Sequence, residues 1–121
     1  MILTGKTKTG TKIISDSMLK MATTNHLKSS FFPLEIRNFD VEMLEENDLE
    51  SYGWGLGFRV MMDVEKADII GSVGEFGWAG AAATYFLVDN SKNMTALLMT
   101  QVFSGLPDLK NDFYNFIYTN F

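Results

Sequence analysis

The sequence predicts an α+β fold: an antiparallel β meander of about four strands, with a C-terminal helix packed on it and a short N-terminal helix. Three observations lead there. Between residues 52 and 103, apolar runs are separated by clusters of Gly, Asp, Asn and Ser. From Leu109 onward the apolar spacing lengthens from that of a strand to that of a helix. Upstream, Ser15-Asp16-Ser17 supplies side-chain oxygens able to accept the free N–H groups of a first helical turn.

The elements follow in order. Residues 1–14 are rich in Lys, Thr and Gly and end apolar at Ile13-Ile14, a loop closing in a short extended piece. Met18, Leu19, Met21 and Ala22 give the first helix its apolar face, and Thr23-Thr24-Asn25 end it. Residues 28–51 form an irregular, partly surface segment, with Phe31-Phe32-Pro33-Leu34 broken by proline and six acids between Asp40 and Glu50. Gly55–Asp63, Ile69–Glu75, Gly80–Val88 and Met94–Val102 are the expected strands. Between the last two, Asp89-Asn90-Ser91-Lys92-Asn93 is a turn whose side chains satisfy local backbone groups. Thr84, Phe86 and Val88 alternate with Tyr85 and Leu87, so both faces carry large groups, as in a sheet covered on both sides or on one side beside a cleft. Leu109, Phe113, Phe116, Ile117 and Phe121 make one helical stripe, with Pro107 and Asp108 suited to its start.

A chain of 121 residues with 46% hydrophobic content supports one domain over residues 1–121: irregular with a short helix to 51, sheet over 52–103, helix over 106–121. With 21% charged and 13% aromatic residues it has the composition of a folded chain. Its net charge of −5 and singly scattered Lys and Arg argue against nucleic-acid binding. It has no cysteine, which removes disulfide and thiolate chemistry and leaves the compartment open. Met1 to Gly5 is too short and polar for a signal peptide, and no apolar run approaches the roughly 18 residues of a membrane span.

The stretch Tyr52–Gln101 carries a family resemblance. Tyr52-Gly53-Trp54-Gly55-Leu56-Gly57-Phe58 leads to Trp78-Ala79-Gly80, then the small residues Ala81-Ala82-Ala83-Thr84, an apolar strand, the Asp89 turn and Leu97-Leu98-Met99-Thr100-Gln101. This order resembles the C-terminal part of the serine β-lactamase and penicillin-binding-protein superfamily, including its class C and esterase branches. In that superfamily a strand opening Lys-Thr-Gly, His-Thr-Gly or Trp-x-Gly borders the active site. The resemblance implies an acyl ester or amide hydrolase acting through a serine nucleophile. That nucleophile lies upstream of the part that this chain resembles, so the chain alone is expected to be inactive.

By the same resemblance, the Ala81 backbone N–H is the candidate oxyanion donor, and Trp78, Ala79, Gly80 and Ala81 line the substrate cleft. Acyl transfer needs two such donors aimed at the oxygen that becomes negative. Gly80, without a Cβ, would let substrate approach the strand; Gly77 and Gly80 equally suit a bend or bulge. A Lys at position 78 would attract a substrate carboxylate. Trp78 offers one neutral donor and a large apolar face, which favours neutral esters or amides; it is equally open to simple packing. No cofactor and no metal are expected.

Three matches to the family's catalytic motifs stand out of order and context: Ser17-Met18-Leu19-Lys20, Tyr118-Thr119-Asn120 and Lys8-Thr9-Gly10. We read them as coincidences, Tyr118 as a packed helix residue. His26, the single histidine, is expected at the surface or as a cap, the acids between Asp40 and Glu50 on a solvated face, and the eight methionines chiefly in the core. Arg37 and Arg59 are isolated cations, each able to pair with an acid. Two functions of different class follow: the C-terminal portion of a serine hydrolase whose partner is its own N-terminal part and whose substrate is a small acyl compound, or a non-catalytic module that folds alone or self-associates through a sheet edge.

Overall fold

The structure, a computed structural model, describes residues 3–28, 51–103 and 108–121. Its elements are α1 (Asp16–Ala22), β1 (Tyr52–Trp54), β2 (Arg59–Met61), α2 (Val64–Ala67), β3 (Phe76–Gly80), β4 (Thr84–Asp89), β5 (Met94–Leu98) and α3 (Leu109–Asn120). The strands form one sheet in the order β1-β2-β3-β4-β5, each antiparallel to its neighbours, so the expected α+β meander is present with five strands rather than four.

The N-terminal helix starts where its capping residues place it. Ser15 Oγ accepts the Met18 N–H at 3.2 Å, Asp16 occupies the positive end and Lys20 the negative end. It stops at Thr23, whose N–H and hydroxyl both donate to Leu19 O. The chain then runs beside β1. His26 N–H donates to Trp54 O, Trp54 N–H to Asn25 Oδ1 and Leu56 N–H to Ala22 O, at 2.8–2.9 Å. One edge of the sheet is thereby covered.

Four strand boundaries differ from expectation, each for a local reason. Gly55–Asp63 is not one strand: Gly57 at φ +87° and the Gly55 N–H to Phe58 O bond make a turn between β1 and β2. Ile69–Glu75 is not a strand. Asp63 Oδ1 accepts the Glu65 and Lys66 N–H groups at 3.1 Å and starts α2, and Asp68 in the left-handed region ends it. That local capping outweighs the β preference of Ile69-Ile70. Gly80–Val88 splits, because Ala81-Ala82-Ala83, with Ala83 at φ 55°, is the β3–β4 turn. β5 ends at Leu98 rather than Val102, since the Thr100 hydroxyl and Val102 N–H turn back to Ala82 O.

The two sheet faces are packed by different partners. On one, Tyr52, Met61 and Leu87 meet Phe113, Tyr114 and Ile117 of α3, joined by Ala67 and Ile69. On the other, Val60, Phe76 and Val88 pack with Leu3 and Phe58. The α3 stripe is rotated from the expected one: Phe113 and Ile117 are buried as foreseen, but Tyr114 is buried too, while Phe116 and Phe121 stay 61% and 80% exposed. The expectations for Phe31–Leu34, Arg37, the acids between Asp40 and Glu50, and Pro107 fall outside the described residues. Among the described residues no helix is long and apolar enough to cross a membrane.

Candidate functional site

The Trp78–Ala81 segment occupies the far half of β3. β4 pairs with all of it, through Trp78↔Phe86, Ala79↔Tyr85 and Gly80↔Thr84. β2 reaches only Val60↔Phe76 and Arg59↔Gly77. Past Gly77, β2 therefore lends β3 no ladder, and among the described residues a strand edge is left along Trp78-Ala79-Gly80. Ala81, just beyond, is exposed, while the other three are half-buried. Such an edge offers main-chain donors and acceptors to a ligand lying alongside it.

Two features fix the position of that edge. Trp78 meets Trp54 edge-on, with ring centroids 4.5 Å apart and planes at 88°. This is the favourable geometry for two aromatic quadrupoles. Gly77 explains itself differently: a Cβ there would lie 2.9 Å from Phe86 C and 3.0 Å from Leu87 Cα, and closer still to Phe86 O. The glycine is needed because the β4 backbone passes so near. At Gly80 a Cβ would meet only the Thr84 hydroxyl, a side-chain atom able to turn away.

A second cluster, not singled out by the sequence, lies between the sheet and α3. Glu75 and Asp89 are 2% and 1% exposed. The Tyr118 hydroxyl bridges them, bonded to Glu75 Oε2 and 2.9 Å from Asp89 Oδ2. Arg59, buried, donates to the Tyr114 hydroxyl at 3.1 Å and lies 4.0 Å over the Tyr52 ring. Burial pushes the Glu75 carboxyl up from its ordinary value, against the lowering influence of the Tyr118 and Tyr114 hydroxyls, the Ser72 N–H and Arg59. For Asp89 burial also acts upward, yet hydrogen bonds from Ser72, Ser91, Tyr118 and the Lys92 N–H outweigh it and hold the carboxyl below its usual value. Tyr118 is raised by burial and by its two acidic neighbours, and Tyr114 chiefly by burial, so both phenols stay protonated.

Asp89 has a double duty. Its Oδ1 accepts Ser91 N–H at 2.8 Å, the Ser91 hydroxyl at 2.6 Å and Lys92 N–H at 3.2 Å, which makes the expected turn. Its Oδ2 reaches α3. The available sequence signal was the Tyr114/Tyr118 spacing of four, which puts two hydroxyls on one helix face. No short-range pattern linked them to Glu75, Arg59 or the far side of Asp89, which are 25 or more positions away along the chain.

The remaining candidates are scattered. Ser17 Oγ lies 3.0 Å from Ser15 Oγ on exposed α1, in the same helix as exposed Lys20. Lys8-Thr9-Gly10 lies in the N-terminal loop closed by the Lys6↔Lys12 bridge, far along the chain from any strand of the sheet. Tyr118 packs against the network just described. Its motif partner Asn120 donates to Phe116 O. His26 is exposed, with Nε2–H donating to Met21 O at 2.6 Å, and so caps the end of α1. Arg59 has Glu75 as its nearby acid. Met61 is in the core, whereas Met18, Met21, Met62 and Met99 are exposed, fewer buried than the composition suggested. Among the described residues no three His, Cys, Asp or Glu side chains are grouped to hold a metal ion.

At the opposite edge, β5 has β4 as its one strand neighbour among the described residues. Beside it runs a groove of about 600 Å³ lined by Met94, Ala96 and Leu98 of β5 and by Phe113, Phe116 and Ile117 of α3. Leu97, Phe116 and Phe121 of its lining are all more than half exposed.

No protein-family model matches the chain, and no curated protein matches it. Among solved structures it is similar to EstCE1, described as a hydrolase with promiscuous acyltransferase activity. The TM-score is 0.68 at 17% sequence identity, over 97% of this chain and 26% of that one. The likeness is one of fold, and the chain spans about a quarter of the length of that structure.

Proposed function

We propose that the chain is the C-terminal part of a β-lactamase-related serine hydrolase and supplies one wall of its acyl-binding cleft. The observation that carries this reading is the open half of β3: among the described residues the Trp78-Ala79-Gly80 edge is unpaired on the β2 side, and Ala81 lies exposed at its end. The fold likeness to a hydrolase of nearly four times the length supports it. In this role the Ala81 N–H is one of two donors to the developing oxyanion, and the serine and its base belong to the rest of the enzyme. Trp78 presents an apolar, uncharged surface, so neutral esters or amides suit the cleft better than carboxylate-bearing β-lactams.

The test uses the full open reading frame that contains this chain. An in-frame Ser-x-x-Lys upstream is expected, together with faster hydrolysis of a p-nitrophenyl ester than of a chromogenic cephalosporin. Ala81→Pro, which deletes the N–H, is expected to lower kcat by about 10²–10³-fold while Ala81→Gly leaves it nearly unchanged. Equal activity in the two variants would remove the oxyanion role, and faster cephalosporin turnover would remove the neutral-acyl preference.

The β5 edge and its groove are the surfaces on which the rest of such an enzyme would be built, and they also favour a second reading. An uncharged edge strand from Met94 to Leu98, flanked by exposed Leu97 and Met99, is a ready template for pairing. A non-catalytic module would then self-associate there. Light scattering of the chain should show a dimer that Leu97→Lys converts to monomer; a monomer at all concentrations would count against self-association.

A further inference from the structure

We propose that Glu75, Tyr118 and Asp89 form a proton-held clasp that ties α3 to the sheet and loosens as pH rises. The inference rests on counting protons. A phenol has one hydrogen to give, yet the Tyr118 oxygen is hydrogen-bonded to two carboxyl groups at once. Two full bonds need a second hydrogen, and a protonated carboxyl is the group placed to supply it.

The surroundings decide which carboxyl carries the proton. Asp89 Oδ1 already receives two N–H groups and a hydroxyl from Ser91 and Lys92, the setting of an ionised carboxylate. Glu75 is equally buried but has a single, long backbone donor among the described residues, Ser72 N–H at 3.4 Å from Oε2. The arrangement is therefore Glu75 O–H to Tyr118 O, and Tyr118 O–H to Asp89 Oδ2. When Glu75 ionises, two anions compete for one phenol hydrogen, and the sheet–helix tie is left with one bond and a repulsion.

Charged and titratable groups from each neighbouring element bear on this balance. Arg59 of β2 lowers the cost of an ionised Glu75, reaching it across the Tyr114 hydroxyl. Tyr114 of α3 is itself a donor to Glu75, and Tyr52 of β1 lies beneath Arg59. Lys92 of the β4–β5 turn sits 5.6 Å from the Tyr118 ring centroid. Among these, only Arg59 and Lys92 carry positive charge, and both are engaged with aromatic rings.

The sign follows from Glu75 binding its proton more tightly when folded. Its contribution is complete below the ordinary glutamate pKa and is lost as pH rises through its own raised value. Asp89 works in the other direction, its contribution being lost as pH falls through its lowered value.

The test is amide hydrogen exchange of α3 from about pH 4 to about pH 9, corrected for base-catalysed intrinsic exchange. In the wild-type chain, protection of residues 113–120 should fall by about tenfold across the Glu75 titration, the effect of losing one buried hydrogen bond. Glu75→Gln, a permanent neutral donor, should hold that protection level over the whole range. Tyr118→Phe should lower it at every pH and abolish the step. Carbon-13 NMR of the Glu75 carboxyl gives a readout that needs no variant, and there a protonated signal persisting above the ordinary glutamate range is expected. An unchanged pH step in Glu75→Gln, a flat wild-type profile, or a Glu75 carboxyl titrating at its ordinary value would each overturn the clasp.

Discussion

Replacing Phe76 by Ala is expected to destabilise the fold by about 3–5 kcal/mol, the usual cost of removing a buried phenylalanine. Phe76 is 1% exposed and sits at the centre of the face that does not carry α3. Val60 and Val88 stand opposite it on the two neighbouring strands, and the Phe58 ring meets it at 5.3 Å between centroids. Those strands are held in register by backbone ladders, so they cannot collapse into the space a phenyl ring leaves. Against a total stability of about 5–15 kcal/mol for a domain of this kind, the loss is a large fraction. Urea denaturation measures it as a lower midpoint at unchanged slope. Leu97→Ala on exposed β5 is the comparison, expected within about 0.5 kcal/mol of wild type. A Phe76→Ala loss as small as that of Leu97→Ala would mean this face is not a packed core.

Gly77→Ala, one position further, should fail for the opposite reason. The added methyl points into the β4 backbone, near Phe86 O, Phe86 C and Leu87 Cα, none of which can rotate aside. β3 and β4 must separate, straining the Gly77↔Leu87 pair and its neighbours Phe76↔Val88 and Trp78↔Phe86. The expected cost is about 3 kcal/mol, the upper end for forcing one methylene into a packed interior. Gly80→Ala meets only the Thr84 hydroxyl and should cost about 1 kcal/mol. Amide exchange distinguishes the two: Gly77→Ala should raise exchange across both β3 and β4, and Gly80→Ala only near the turn. Equal effects would show that the strand spacing yields more easily than the backbone ladder implies. Because Trp78 follows Gly77 directly, the same substitution would also displace the open edge proposed as the cleft wall.

Much of the fold was legible because its signals are local. Ser15 and Thr23 bound α1 through contacts within one turn of helix. Asp89 makes its turn with residues two and three positions on. The α3 period was equally plain in the spacing of Phe113 and Ile117. Expectations failed where two local preferences competed. Ile69-Ile70 favoured a strand, but the Asp63 carboxylate caps a helical turn just before it and Gly74 at φ +88° turns the chain after it. The alanines after Gly80 were joined to the following strand, although weak β preference and the left-handed Ala83 make them its entry turn.

The candidate site divides in the same way. Trp78-Ala79-Gly80-Ala81 could be picked out as a motif, but it was expected to open the strand Gly80–Val88, whereas Trp78-Ala79-Gly80 closes β3 and Ala81 begins the turn. That the β2 ladder stops at Gly77 depends on how short β2 is, a matter of the pairs Arg59↔Gly77 and Val60↔Phe76, which are distant along the chain. The Glu75–Tyr118–Asp89 cluster was invisible for a stronger reason. Its members come from a loop, the end of a strand and the last helix, and each is an ordinary polar residue in its own neighbourhood.

By itself, then, the sequence determined the α+β class, the bounds of α1, the Asp89 turn and the small-residue stretch beside Trp78, because side chains within a few positions of one another dictate these. Tertiary structure alone decided which face of α3 is buried, where the β2–β3 ladder stops and which carboxyls Tyr118 bridges. The rotation of α3 toward Tyr114 and Tyr118 illustrates the reason. An apolar stripe specifies only that one side of a helix faces inward, whereas buried polar groups on the sheet demand partners at particular points, and only the folded sheet puts Arg59, Glu75 and Asp89 at those points.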